Sequence, residues 1–594
     1  MLGSRLGGLF AWLISFSMFA AAQGTRPTDA RHFDGPAELP HLYVKSGMAD
    51  TPAAGKTTLV KTSDELKAAL EKAQCGDTIR LEAAATFTGN FKFPAKNCDD
   101  SHWILLRTSA ADTELPPEGT RITPCYAGVA SLPGRPAFAC SELKRVMPRI
   151  AFDGTGGGPI TLSNGANHYR FIGLEITRDS PGKAISNLVF VQGENSVADH
   201  LVFDRVWAHG IAQEDTTRGI LLGGSQYVAV VDSYFNDFHC VAMGTCTDAQ
   251  TIAGGYGDRP MGPYKIVNNF LEASGENILF GGGGATLTPA DIEIRRNYMF
   301  KPPTWKTGNP GFVGGTSGKP FIVKNLFELK NAQRVVLEGN ILEYSWGGFS
   351  QNGFAILLTP KNQNNHCPLC RVTDIVVRLN LISHMGSGLQ IASIPAVAGG
   401  AASGGERYSI HDNIFDDIDG REYGGLGMFA QLSSDVPALR DITINHNTAF
   451  ATMLFMIGVA VEREKINNFV FTNNLVGVGR VEISSTGGGN KNCAFNSTAQ
   501  GPSGVLKSCF TSSTVTHNIL IGSRGGWPNG NYYPSDPTSL VEDFQGGKGG
   551  NYRLCRAKQG SKCKKGAEFL GKGSDERDPG ADVQAVLQAT AGVK

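Results

Sequence analysis

Between residues 272 and 363 lies the chain's densest run of side chains able to do chemistry. It holds Glu276, Glu328, Lys330 and Lys361, with Trp305, Trp346, Lys301, Lys306 and Asn352 in the segments around them. Glu276 and Glu328 could hold a hard cation such as Ca2+, which would neutralise an acidic substrate while Lys330 or Lys361 removes a proton from the carbon beside its carboxylate. That combination suits β-elimination at a uronate. Trp305 and Trp346 offer ring faces to a sugar, and Lys301, Lys306 and Asn352 offer groups to orient it. The same residues would serve equally as a surface ion-pair network above two tryptophans buried under a loop. If the two carboxylates stood about 6.5–9.5 Å apart across a cleft, they would instead suit an inverting glycoside hydrolase.

Other candidate motifs carry less. HCPLC at 366–370 has no second Cys or His pair to complete a closed zinc site. Gly156–Gly158 and Gly281–Gly284 lack the lysine and helix of a phosphate cradle. No nucleophile-elbow string supports a Ser-His-Asp triad. Asp237 with His239, and Asp416 with Asp417, read as acidic residues serving turns. Arg295, Glu338 and Arg378 form a charge column read as structural.

Composition limits what these residues can belong to. Of 594 residues, 54 are Lys or Arg and 54 Asp or Glu, so no basic surplus exists to grip nucleic acid. With 41% hydrophobic residues and no long single-sign charge run, general disorder is excluded. Residues 1–22 read as an export signal: Arg5, an apolar run from Leu9 to Ala20, and small residues before Gln23. No later segment reads as a membrane span, which places the mature chain in the secreted or periplasmic space, off the membrane. The 12 cysteines fall into six sequence-local pairs, 75/98, 125/140, 240/246, 367/370, 493/509 and 555/563. Such pairs look like loop-stapling disulfides, although spacing leaves connectivity open.

The elements that must position the chemistry come from a degenerate repeat. Eight copies run from an apolar residue to an Asn three later: IVNN at 266, IRRN at 294, LEGN at 337, VRLN at 377, IHDN at 410, INHN at 444, FTNN at 471 and VTHN at 515. Three earlier copies at 171, 203 and 230 keep the apolar spacing without the Asn, and successive register positions lie 27 to 44 residues apart. This period indicates a solenoid or propeller. Each copy carries a short alternating strand before the Asn, an apolar strand after it and a third beyond a loop, often behind glycine. Three short strands per turn without helical periodicity predict an all-β parallel β-helix, right-handed by crossover chirality. Asn269, Asn297, Asn340, Asn380, Asn413, Asn447, Asn474 and Asn518 would then stack about 4.8 Å apart as an amide ladder.

An open coil needs caps. Thr62-Ser63-Asp64-Glu65 resembles a capping box opening a helix over LKAALEKA, 66–73, which could plug the entrance. The divisions expected are a signal at 1–22, an extension at 23–56, the N-terminal cap and first coils with a disulfide-bearing insertion at 57–150, the coil at 151–545 and a C-terminal cap at 546–594.

GDTIRL at 76–81, the Asn turn, and RDPGADVQAV at 577–586 resemble the pectate-lyase-like β-helix superfamily of secreted bacterial carbohydrate-active proteins. The resemblance spans roughly 57–590 as architecture and implies a monomer acting on extracellular polysaccharide. The polygalacturonase and classical pectate-lyase motifs are missing. The Lys, Arg and calcium-binding carboxylates of chondroitinase-like and alginate-lyase-like members do not map residue by residue. A uronate lyase is therefore the first expectation, an inverting glycoside hydrolase the second and a non-catalytic glycan binder the third.

Overall fold

The structure is a computed structural model that describes residues 34–138, 140, 142–193, 196–241, 246–451, 455–556, 563 and 565–594. The expected signal at 1–22, and the extension as far as residue 33, lie outside the described residues. Three long parallel sheets of 14, 12 and 13 strands run the length of the chain, and successive turns place one strand in each. The turn around Asn297 supplies Ala290–Arg295 to the 14-stranded sheet, Tyr298–Phe300 to the 13-stranded one and Phe327–Leu329 to the 12-stranded one. This is the expected parallel β-helix. The apolar residue that opens each copy pairs with the next copy's, giving the file Ile266, Ile294, Leu337, Val377, Ile410, Ile444, Phe471, Val515. All eight are buried in one continuous core. Burying a side chain of this size stabilises by about 1.5–3 kcal/mol, so the file alone explains why the repeat survives such variable spacing.

The corner between the first two strands of a turn explains the Asn. The residue just before it takes a left-handed conformation in copy after copy, from Asn268 (φ 59°) and Arg296 (54°) to Leu379 (57°) and His517 (57°). That turn leaves backbone groups facing inward, and the buried Asn amide satisfies them. Asn297 Nδ2 donates to Asn340 Oδ1 (3.1 Å) and to Ile266 O (2.8 Å), while Asn297 Oδ1 accepts from Asn269 N (3.0 Å) and Asn269 Nδ2 (2.9 Å). The pattern repeats through Asn518. It extends beyond the expected eight: Ser233 N donates to Asn269 at one end, and Asn531 Oδ1 accepts from Asn518 Nδ2 at the other.

Both ends of the core are closed by helices. At the entrance, helix Ser63–Lys72 is capped by the Thr62 hydroxyl, which accepts from Glu65 N, and buries Leu66 and Leu70 in the core. At the far end the cover is Cys493–Ser497 with Gly501–Cys509, joined by the Cys493–Cys509 bridge and burying Ala494, Val505 and Leu506. This helical pair falls inside the 151–545 stretch expected as coil. The terminal segment, expected as the end cover, instead returns along the outside. Arg577 bonds Asp412, Arg296 donates to Ala589 O and Ala591 O, and Lys594 reaches Glu343. Residues 34–50 form a second strap, along the outer face of the 14-stranded sheet. Asp34 accepts from Arg378 and His411, Asp291 from His41 N, and Arg170 donates to Ser46 O. All six cysteine pairs are bonded as their spacing suggested.

Candidate functional site

In the 12-stranded sheet Ile278–Phe280 pairs with Phe327–Leu329, with Leu279 opposite Glu328. Glu276 stands three residues before Leu279, so the two carboxylates sit on neighbouring turns, offset along the strand as the repeat predicted. Both are almost wholly buried, at 0% and 2% exposure. Gln250 Nε2 donates to Glu276 Oε2 (2.9 Å) and Arg218 Nε to Gln250 Oε1 (2.8 Å), so three successive turns form one chain. Glu328 accepts from Asn325 Nδ2 (2.9 Å) and pairs with Lys330 Nζ (3.3 Å). Lys324 Nζ lies against Asp248 and 3.8 Å from Glu276.

Charge in this cluster follows from burial and crowding. Burial, then repulsion from Glu328, raises the Glu276 carboxyl above the usual range, although Lys324 and Lys330 oppose this. Burial works against the Lys330 ammonium, but Glu328 and Glu276 outweigh it and keep Lys330 charged. Lys361 behaves oppositely. Burial and the neighbouring Lys330 charge bring it down to about 8, while its Nζ makes long contacts to Ile394 O and Pro395 O (3.3 and 3.4 Å). One lysine is thus a fixed cation, and the other can lose its proton near neutral pH.

Three of the residues expected to bind sugar are not on the surface. Trp305 (1% exposed) and Trp346 (5%) pack with Phe321, Val323 and Tyr423 in a core beneath the loops, so neither offers a ring face to a ligand. Arg135 stacks 5.5 Å over Trp305. The long 301–326 excursion carries enough apolar residues to need a core of its own, and the tryptophans supply it. Lys301 is fully buried, and burial lowers it to about 7. Its Nζ donates to the backbone oxygens of Ala273 (2.9 Å), Gly275 and Asn325 (3.0 Å) and to Asn277 Oδ1 (3.3 Å). It therefore ties together the backbones that carry Glu276 and Lys324. Lys306 is half-buried after Pro303–Trp305, and Asn352 is exposed in the two-stranded hairpin of Gly347–Gly348 with Gln351–Asn352.

Sequence reasoning passed over the cluster's other members. Asp248, Gln250 and Arg218 come from earlier turns, and Lys324 lies in the long excursion before strand Phe327–Leu329. Phe349, 54% exposed at the tip of that hairpin, stands 5.9 Å from Lys324 Nζ and is the aromatic at the cluster. Its signal was the GGFSQNG string, an aromatic between glycines at a turn. Beside the cluster, Gly281–Gly284 separates Lys330 from a cavity of about 670 Å³ lined by Tyr256, Arg259, Thr286 and His366. Gly281 and Gly282 take φ of 102° and 90°, and a methyl on Gly281 would stand 2.6 Å from Asn331 N, so the run needs glycine at these two positions.

The secondary motifs are resolved as structure. Asp416 and Asp417 lie in strand Ile414–Ile418, not in a turn; Asp417 accepts from His384 (2.7 Å) and Tyr423 (2.8 Å). Asp237 and Glu272 clamp Arg135. The Arg295–Glu338–Arg378 column is continuous and ends on Asp34 of the strap.

No family model matches the chain, and no curated protein matches it. Solved structures do resemble it. A PL6 family alginate lyase, AlyGC, is 14% identical over 89% of this chain and 58% of its own, with a TM-score of 0.47. A mannuronic acid specific family 6 polysaccharide lyase from human gut microbiota is 11% identical over 79% and 92%, with a TM-score of 0.44. A GH87 alpha-1,3-glucanase from Streptomyces thermodiastaticus is 12% identical over 80% and 67%, at 0.42. These likenesses concern the coil, and the chemistry rests on the geometry of the cluster itself.

Proposed function

We propose that this β-helix cleaves a uronate-bearing polysaccharide by β-elimination on the outer face of its 12-stranded sheet. One observation carries the proposal: a buried carboxylate pair flanked by lysines held in opposite protonation tendencies, Lys330 charged and Lys361 near about 8. Lys330 and Lys324 would neutralise the substrate carboxylate and so acidify the C5 hydrogen. Lys361, as the free amine, takes that proton. The C5–H electron pair becomes the C4–C5 double bond while the C4–O bond breaks, and the leaving oxygen takes a proton from Lys330. Glu276 and Glu328 are too buried to touch sugar and act by fixing the lysines. Phe349 takes the place of the two tryptophans as the exposed aromatic face.

Calcium belongs to the same proposal. Glu276 Oε1 and Asn325 Oδ1 are buried oxygens without a hydrogen-bond partner, hard donors of the kind calcium prefers. With Asp248 and Glu328 they would hold the ion, which would displace Lys324 and take over its part in neutralising the substrate acid. Six disulfides support a secreted or periplasmic compartment, where such bonds persist. No helix among the described residues is long and apolar enough to cross a membrane.

The test is a screen of uronate and neutral polysaccharides, with and without chelator. Elimination produces an unsaturated product absorbing in the ultraviolet, and Lys361→Ala should abolish it with the fold intact. Reducing ends without that absorbance would replace the lyase by a hydrolase. Binding without either product would make the face a glycan-binding surface.

A further inference from the structure

Where the strands of the 12-stranded sheet turn into the 14-stranded one, four consecutive corners enclose the cavity of about 670 Å³. They contribute Gly193, Gly224, Arg259 and Thr286 in turn. The next corner is only Lys330-Asn331, between Phe327–Leu329 and Ala332–Glu338, so the long corner after it folds back and brings His366 to the rim. Glycine makes the room. Gly193, Gly224 and Gly257 turn with φ of 96°, 66° and 112°, and a side chain on Gly223 or Gly257 would meet nothing within 4 Å.

Backbone bonds hold the walls. Gly257 N donates to Gly284 O (2.7 Å), Thr286 N to Gly257 O (3.1 Å) and Ala285 N to His366 O (3.1 Å). The bonded pair Cys367–Cys370 is buried against Ala285, so the HCPLC string fixes a histidine at the lip of a cavity. The cavity also shares a floor with the lysine cluster. Leu221, Ala253, Leu279 and Glu328 pair strand to strand in one row, which places Leu221 three strand spacings, roughly 14 Å, from Glu328.

Arg259 gives the cavity its chemistry. Its Nε is buried without a hydrogen-bond partner, and Asp258, the nearest acid, stands 3.6 Å away, beyond hydrogen-bond reach. A desolvated guanidinium N–H without an acceptor is costly, and a carboxylate is the acceptor that its planar fork matches. Val191, Leu221 and Tyr256 offer apolar surface to a ring. The volume falls within the roughly 300–1,000 Å³ of ligand sites.

We infer that this cavity is a second carbohydrate site, which takes one uronate residue of a chain whose neighbouring residues lie over Lys330 and Lys361, with Arg259 holding its carboxylate. The inference deepens the uronate reading and rests on it for the class of sugar. The corner of Arg259 follows the strand of Ala253, two turns from Glu328, so Arg259 acts on binding and not on the bond that breaks.

The test titrates saturated oligomers of galacturonate, glucuronate, mannuronate and guluronate calorimetrically into the full chain and its Lys361→Ala variant. Gluco-oligosaccharides of matching length are the neutral control. Arg259→Gln, which removes the charged fork, should weaken oligouronate binding by about tenfold or more. Gly223→Leu, which fills the cavity, should do the same. Where elimination is measured, both variants should raise KM on long chains and leave kcat within about twofold. Circular dichroism checks that each variant keeps the coil. Oligouronate binding that depends on Arg259, without any unsaturated product, supports the cavity and overturns the lyase reading alone. The inference fails if no oligouronate binds, if the gluco-oligosaccharides bind as tightly, or if either variant leaves oligouronate affinity unchanged while elimination proceeds.

Discussion

Lys361 and Lys330 share a small volume, and their charges are linked. With Lys361 lowered to about 8, a base role predicts that kcat/KM rises with pH and levels off above about 8. Lys330→Met removes the like charge that helps lower Lys361, so the rising limb should move to higher pH as well as the rate falling; a pH–rate profile reads both. Glu276 supplies a stability test. Its folded-state pKa is raised, so its contribution is most favourable when protonated and is lost as pH rises through that value. Glu276→Gln should therefore raise the thermal midpoint at pH 7, with a gain that vanishes below the ordinary glutamate range of about 4.3, where both states are protonated. The spacing of the repeat brought Glu276, Glu328 and Lys330 together in sequence terms. Trp305 and Lys301 were misassigned because residue type does not reveal burial: a tryptophan in a long loop suits a sugar or a loop core equally, and only packing distinguishes them.

At the level of the corner element, each ladder Asn serves its own turn and its neighbours. Asn380 accepts from Asn340 N and Asn340 Nδ2 and donates to Leu337 O and Asn413 Oδ1. Asn380→Ala would strand several buried polar groups at about 1–3 kcal/mol each, so a loss of at least about 3 kcal/mol is expected. Asn531, half-buried at the ladder's end, has fewer turns depending on it; Asn531→Ala should lose about 1 kcal/mol. Chemical denaturation of the two variants compares them directly. The ladder was legible because each rung repeats one residue at one position. Its extension to Asn531 was not, since only 13 residues separate Asn518 from Asn531, far below the repeat's own spacing.

At the level of the whole molecule, a stacked coil is stable only if its ends are closed, because each exposed strand edge can recruit another chain. Replacing residues 489–510 by a short linker should uncover core residues such as Phe469 and Phe471 and drive the protein into aggregates on size-exclusion chromatography; a monomer of unchanged midpoint would show that the helical pair is not the cap. The amino-acid sequence alone determined the coil and the ladder and suggested the disulfide pairs, because each is written as repetition or local spacing, and a parallel stack converts repetition directly into contact. Only the tertiary structure decided which loops fold over which face. The 34–50 strap meets Arg378, the terminal tail returns to Arg296, and the loop carrying Asp100 meets His168 and His200. Such contacts join segments with no shared period, so nothing in the order of residues announces them.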